Sequence, residues 1–268
     1  MHFVCKHWRK IFPIVNYPLG KYILTLDAGE GIQNAMSWGT YESEETEWIK
    51  NLLQPGMTVV DVGSSFGYYS FVASSLVGDT GKVYSFEPSK PAFDSFLKNV
   101  WKNTITNIKA YQLGLGDKEG ELELFDSIGV SVNKWNIHAP TFVPQYIYAV
   151  NDRSMGFVRI VRLDDFWEQN RLGAIDLIKI DVEGFERPVL LGMKGLFEKQ
   201  MVRNVMIEYM QPEPLFTKGT ESDLMHQLLT GFGFMITNKK QYTFELTKGS
   251  YIMGNFMYGL SGGEKLKC

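Results

Sequence analysis

The sequence predicts an α/β fold with a doubly wound, mostly parallel sheet, and three observations carry that expectation. Val59 to Ser70 runs a short β-branched strand straight into a small-residue turn and then a helix. Lys82 to Glu87 gives a second strand followed by an amphipathic stretch, and Ile175 to Asp181 is a third apolar run that ends in acid. Near-continuous apolar strands alternating with helical segments are the pattern of a parallel sheet covered on both faces.

Taken in order, residues 1–21 carry Lys6, Arg9, Lys10 and Lys21 with no acid, interleaved with Phe3, Trp8, Phe12 and Tyr17. They read as a short basic arm covering the domain, with a weak membrane-surface or partner contact as the alternative. Residues 22–38 read as a small β unit around Asp27-Ala28-Gly29-Glu30-Gly31, so 1–40 forms an N-terminal arm and β unit ahead of a main domain at 41–268. Ser43 offers an N-cap, Glu44 and Glu45 an acidic first turn, and Trp48, Ile49, Leu52 and Leu53 a helical apolar face that stops at Pro55-Gly56.

The strand at 59–62 follows, then a helix near 67–77, a strand at 82–87 and a helix near 90–102 carrying Phe93, Phe96, Leu97 and Val100. Ile108 to Leu113 is the next strand, Gly114 to Asp117 a turn, and Gly120 to Phe125 alternates like a solvent-facing strand. Residues 127–156 are less regular and rich in Trp135, His138, Phe142, Tyr146 and Tyr148, with Pro140 and Pro144 among them. Such a stretch is either a substrate loop or an extra hairpin with its own aromatic cluster. Phe157 to Leu163 is a strand, Asp164-Asp165 opens a helix, and Arg203 to Glu208 adds a further strand ending in acid.

A chain of 268 residues with no internal linker is read as one α/β domain able to bury a sizeable core. Its 44% hydrophobic and 21% charged content excludes a largely disordered polymer. A net charge of −3 argues against a general nucleic-acid binder. Cys5 and Cys268 have no metal-type spacing and suggest no disulfide, which fits a reducing, cytoplasmic setting. No stretch reaches the roughly 18 apolar residues of a membrane span.

The turn after the first sheet strand narrows the choice of ligand. Gly63 and Gly67 permit the turn and close backbone approach, and the next helix points its N–H groups at whatever is bound. A dinucleotide fingerprint needs glycine in the slots that Ser65 and Tyr68 occupy here. Asp61 sits where phosphates would lie and repels them. A cationic, phosphate-free ligand with a ribose suits that mouth, and S-adenosylmethionine is such a ligand; an acidic strand end that merely caps the helix is the plainer alternative. Glu87 ends the next strand 20 positions after Gly67, about the offset that sets an acid beside a cofactor ribose, and Pro88 stops the strand there.

In open α/β sheets ligands bind beyond the carboxyl ends of the strands, so Asp61, Glu87, Asp181, Glu183 and Glu208 are expected along one rim. Their repulsion calls for a cationic ligand or raised pKa values. A divalent metal is the competing relief, but no histidine belongs to the set and the spacing resembles no calcium loop. No metal site is therefore expected.

Asp-Leu-Ile-Lys-Ile-Asp-Val-Glu-Gly-Phe-Glu at 176–186, Val-Asp-Val-Gly-Ser-Ser-Phe-Gly-Tyr-Tyr-Ser at 60–70 and Ser-Phe-Glu-Pro-Ser at 85–89 resemble the FkbM family of S-adenosylmethionine-dependent methyltransferases. The resemblance covers roughly 40–240, including Tyr41-Glu42, Gly114 to Gly120 and Arg162 to Asp165, with Ser64-Ser65 and Phe185 as departures from the usual residues. It implies a class I methyltransferase, Rossmann-like fold: a mostly parallel seven-stranded sheet with an antiparallel C-terminal hairpin and helices on both faces.

The resemblance further implies that the donor's methionine portion lies against Asp61, Gly63, Ser65 and Gly67, with Glu42 and Asp181 beside it. Glu87 takes the ribose hydroxyls with Ser89 near, adenine lies by Leu115, Gly116 and Asp117, and Tyr68 and Ser70 close over the carboxylate tail. The acceptor is expected to be a small molecule with a hydroxyl on a sugar, glycolipid, polyketide or peptide natural product. A base must take its proton. Asp181 ranks first, then Glu183 and Glu208, with His138 and His226 as substitutes. A nicotinamide oxidoreductase and a non-catalytic cofactor-binding protein are the rival readings.

Overall fold

The computed structural model describes residues 14–29, 31–39, 41–129, 138–142, 149–211, 214–246 and 249–261. Most of the basic arm, both cysteines, and Trp135, Pro144, Tyr146 and Tyr148 lie outside the described residues.

Two strands open the described chain, β1 (Ile14–Leu19) and β2 (Tyr22–Asp27), paired antiparallel with Leu19 opposite Tyr22. The hairpin replaces the expected arm over 14–21, and a helix, α1 (Gly31–Ser37), follows it. Alternation explains the hairpin: Tyr22, Leu24 and Leu26 point inward while Ile23 is exposed. Then come α2 (Ser43–Leu52), β3 (Thr58–Val62), α3 (Tyr68–Val77), β4 (Lys82–Phe86), α4 (Lys90–Lys102) and β5 (Ile108–Tyr111), close to the expected bounds.

The middle of the chain departs from expectation. Gly114–Leu115, expected as a turn, is a short strand, β6, parallel to the end of β9 (Ala149–Val161). β7 (Gly120–Gly129) runs four residues beyond Phe125 and pairs antiparallel with both β9 and β8 (His138–Thr141). These strands form a second sheet in the order β6-β9-β7-β8. Within 127–156, the described residues 127–129, 138–141 and 149–156 belong to β7, β8 and β9.

After β9 come α5 (Leu163–Gln169), β10 (Leu177–Ile180), α6 (Glu186–Leu191), α7 (Lys194–Glu198), β11 (Asn204–Gln211), α8 (Glu221–Gly231), β12 (Phe234–Leu246) and β13 (Gly249–Leu260). The main sheet has seven strands in the order β12-β13-β11-β10-β3-β4-β5. Its inner strands are parallel, and β13 is antiparallel to β11 and β12. This is the class I methyltransferase architecture.

The pleat sorts side chains between two cores. Val60, Val62, Tyr84, Phe86, Ile178 and Ile180 face α5 to α8, where Trp167, Leu190, Phe197 and Leu229 are buried. Val59, Val83 and Leu177 face the other way, against α2, α3, α4 and the β1–β2 hairpin. Asp61, Ser85 and Lys179 share the parity of that second set and so turn toward α3. Burying one such apolar side chain is worth about 1.5–3 kcal/mol, so a strand lined on both faces is held firmly where it ends.

Register aligns those ends. Val62 lies level with Phe86 on one side and Ile180 on the other, and Ile180 is level with Ile207. The next residues on the four strands, Gly63, Glu87, Asp181 and Glu208, therefore stand in a row along the carboxyl rim.

Candidate active site

A cavity of about 250 Å³ opens along this rim. Glu42, Asp61, Gly63, Ser65, Tyr68, Glu87, Leu115, Asp181, Glu183 and Glu208 of the expected residues line it. Gly67, Ser70, Ser89, Gly116 and Asp117 do not.

The turn between β3 and α3 is held by its own backbone. The N–H groups of Gly63 and Ser64 both donate to the Phe86 carbonyl, at 2.9 and 3.1 Å. Gly63 has φ 76°, and a Cβ there would lie 1.8 Å from the Asp181 carbonyl oxygen. Gly67 has φ 96°, and its Cβ would fall 2.3 Å from the Phe96 ring. Both glycines thus permit the turn through their positive φ and also leave room for chain-on-chain packing there.

Glu87 is 5% exposed. Its Oε2 accepts from the Ser65 N–H at 2.7 Å and its Oε1 from the Ser89 N–H at 2.8 Å. Each oxygen keeps a second lone-pair site, and the fork is fixed in the plane those N–H groups define. Burial pushes the carboxyl up to about 7 against those backbone bonds, which pull it down. Ser89 therefore steadies Glu87 from outside the cavity.

Asp61 is 1% exposed. Ser70 Oγ donates to its Oδ2 at 2.6 Å and pairs with Ser85 Oγ at 2.7 Å. Ser70 is fully buried, so it orients Asp61 and does not close over a ligand, a correction to its expected place. Asp61 Oδ1 and Ser64 Oγ are buried with no hydrogen-bond partner among the described residues, as is Glu183 Oε2. Groups of this kind cost about 1–3 kcal/mol each when left unpaired, and such a cost is expected to be recovered on binding something.

Lys179 is the basic residue among these acids, and sequence reasoning did not single it out. Its Nζ stands 2.7 Å from Asp181 Oδ2 and 4.8 Å from the centre of the Tyr69 ring. Burial works against its charge, but Asp181, Asp61 and Glu42 outweigh that and hold the ammonium above its ordinary range. A lysine inside a strand buried on both faces is itself a signal, because its charge needs partners there. Tyr69, also unforeseen, donates its hydroxyl to Glu42 Oε2.

Glu42, Asp61, Glu183 and Glu208 have raised carboxyl pKa values. Burial lifts Glu183 to about 8, with Asp181 and Glu186 adding repulsion. Burial, then Asp181 and Glu42, hold Glu208 well above the usual range. Glu42 and Asp61 are raised too, chiefly by burial. Glu183 has φ 51°, and its carbonyl accepts from Thr141 Oγ1 at 2.8 Å, a bond that ties the second sheet to the acid loop.

Tyr68 meets Tyr41 edge to face at 5.1 Å and pairs with Thr46 Oγ1 at 2.9 Å. Gly116 is buried beneath Ile160 and Phe185, and Asp117 is exposed. His226 sits on α8 with Nδ1 3.0 Å from the Tyr258 hydroxyl and does not line the cavity. The His138 side chain is outside those described. Among the described residues, no group of three or more His, Cys, Asp or Glu is arranged to hold a metal ion, and no helix is long and apolar enough to cross a membrane.

The profile of the Methyltransferase FkbM domain matches residues 61–245. The chain belongs to the FkbM methyltransferase family. The matched segment runs from Asp61 through β12, so the rim acids from Asp61 to Glu208 are inside it and Glu42 precedes it. This FkbM-family chain is 28% identical over 204 residues to Methyltransferase sdnD of Sordaria araneosa, covering 68% of this chain and 75% of the relative. It is 26% identical over 165 residues to Methyltransferase 1 of Beauveria bassiana, covering 56% of this chain and 63% of that relative, under two thirds of its length. Among solved structures it is similar to Trm5b of Pyrococcus abyssi, with TM-score 0.48 and 11% identity over 92% of this chain and 56% of that one.

Proposed function

We propose that this protein uses S-adenosylmethionine to methylate a hydroxyl of a small-molecule acceptor, of the sugar, glycolipid, polyketide or peptide natural-product kind. The observation that carries the reading is the pair of neighbouring carboxyls with open oxygens. Glu87 is clamped by two backbone N–H groups with lone pairs to spare, and Asp61 is clamped by Ser70 with Oδ1 unpartnered. A forked acceptor for a ribose diol beside a single acceptor for an ammonium fits the donor's two ends. Ser64 Oγ, also unpartnered, is a donor within the same turn for a carboxylate tail. An acid-lined cavity favours a cation and disfavours the phosphates of a nicotinamide dinucleotide.

The bound donor supplies an electrophilic methyl carbon on a sulfonium. The chain's part is to hold the acceptor oxygen in line with it and to receive the acceptor's proton. Glu183 suits that task better than Asp181. The Asp181 carboxylate is engaged by Lys179, whereas Glu183 offers an unpartnered Oε2 and a proton affinity matched to neutral pH. Glu208, in weak contact with Asn255 Nδ2 at 3.4 Å, stands next in line.

A thermal melt tests the reading. S-adenosylhomocysteine at about 100 times its Kd should add about 2.7 kcal/mol of stability, a rise of several degrees, and NAD should add nothing. The opposite pattern would overturn the assignment.

A further inference from the structure

Thr141 closes β8, the edge strand of the second sheet, and is 1% exposed. Its Oγ1 donates to the Glu183 carbonyl, 42 positions along the chain, at 2.8 Å. That carbonyl belongs to a strained turn, in which Glu183 has φ 51° and Gly184 φ 95°. A non-glycine residue in the left-handed region costs about 1–3 kcal/mol, so it persists where the surroundings over-determine it.

The surroundings do so from two sides. Within the loop, Glu186 Oε1 accepts from the Val182 and Gly184 N–H groups at 3.3 and 3.0 Å, and Glu186 is 8% exposed. From the second sheet, Thr141 takes the carbonyl between them, and its neighbour Phe142 packs on Phe185 with ring centres 5.2 Å apart. The backbone around Glu183 is thereby committed to bonds inside the protein. Its side chain lines the cavity, where Oε2 has no partner among the described residues.

We propose that Thr141 is a positioning residue for Glu183, holding the turn that presents this carboxyl to the acceptor hydroxyl. The acceptor's proton passes to Oε2 as its oxygen takes the methyl group from the sulfonium, which leaves as a neutral thioether. The second sheet then serves the acceptor end of the cavity as a brace. This rests on the reading of Glu183 as proton acceptor. The competing role is a tie that pins one sheet to the other and does nothing for the reaction.

Thr141→Val keeps the branched shape and removes the donor, whereas Thr141→Ser keeps the donor; Thr141→Ala covers a valine variant that fails to fold. Carboxyl NMR on the full chain with isotopically labelled glutamate, assigned with Glu183→Gln, reads the group directly. Burial acts on it most, then Asp181, Glu186, Lys179 and Glu42, and its wild-type midpoint should be about 8. Thr141→Val frees the turn to carry the carboxyl toward water, so the midpoint should fall by about one unit or more, and Thr141→Ser should restore it. With an acceptor found by screening hydroxylated small molecules, Thr141→Val should lower kcat about 10- to 100-fold at little changed KM, and Thr141→Ser should recover most of it. S-adenosylhomocysteine affinity should stay within a few-fold in both. An unchanged midpoint or an unchanged kcat in the folded donor-less variants, or losses in Thr141→Ser as large as in Thr141→Val, would overturn the positioning role. Full turnover in Glu183→Gln would overturn the proton-acceptor reading itself, and the role of Thr141 with it.

Discussion

Lys179 and Asp181 are two residues apart on one strand end, and their side chains meet at 2.7 Å with only 7% and 22% of their surfaces exposed. The pair leaves one cation to answer Asp181, Asp61 and Glu42 together. Lys179 is level with Asp61 on the adjacent strand, so the same ammonium spans both halves of the rim.

Removing that cation leaves buried carboxylates unanswered. Lys179→Met should cost about 3–5 kcal/mol in urea unfolding, the range for breaking a buried pair from one side. Lys179→Arg keeps the charge and should restore part of it. Equal midpoints for Lys179→Met and wild type would show that the acids are already neutral.

The raised carboxyls make stability depend on pH. Glu87, Glu183 and Glu186 titrate near 7, 8 and 7 in the folded chain and near 4.5 in the unfolded one. Between those values the folded state binds more protons, so this contribution is complete below about 4.5 and fades as pH rises through 7 to 8. The ligand-free chain should therefore melt lower at pH 8.5 than at pH 6, and Glu183→Gln should narrow the gap. A cationic donor reverses the trend by binding better as Glu87 ionises.

As proton acceptor, Glu183 should control turnover and not donor affinity. With an acceptor found by screening hydroxylated small molecules, Glu183→Gln should lower kcat about 100- to 10,000-fold. Affinity for S-adenosylhomocysteine should stay within a few-fold. In wild type, kcat/KM should climb with pH through about 8. Unchanged turnover in the variant would return the role to Glu208 or Asp181.

Ser70 tests orientation at a distance. It is buried behind Asp61 and absent from the cavity wall. Ser70→Ala should nonetheless weaken S-adenosylhomocysteine about 10-fold, since a hydrogen bond to a charged group is worth about 1.5–3 kcal/mol. Glu87→Ala, which removes the fork itself, should weaken it more.

Much of the parallel core was legible because strands buried on both faces read as unbroken apolar runs. β3, β4 and β10 stop at Gly63, Glu87 and Asp181, and the acids mark the rim. The β1 strand was not legible, because Pro18 and half-exposed alternation look like loop. The second sheet was not legible because its strands are long, mixed in polarity and bent by register shifts at Leu124/Phe125 and Ile128/Gly129. Within the site, strand-end acids announced themselves, while Lys179 hid inside an apolar run. Phe142 belonged to a region whose place only tertiary pairing defines. Glu45, buried and bound by Lys240 from 195 residues away, shows how little local sequence says about such ties.

The missing side chain at Gly63 has a consequence for binding. With the Asp181 carbonyl filling the place of its Cβ, the loops after β3 and β10 are interlocked, though they lie more than 100 residues apart in sequence. Neither can slide without pushing the other, so the spacing between the Asp61 and Asp181 ends is set by folding alone. A ligand arriving there meets a preorganised frame, and its affinity is not diminished by the entropy of assembling that frame.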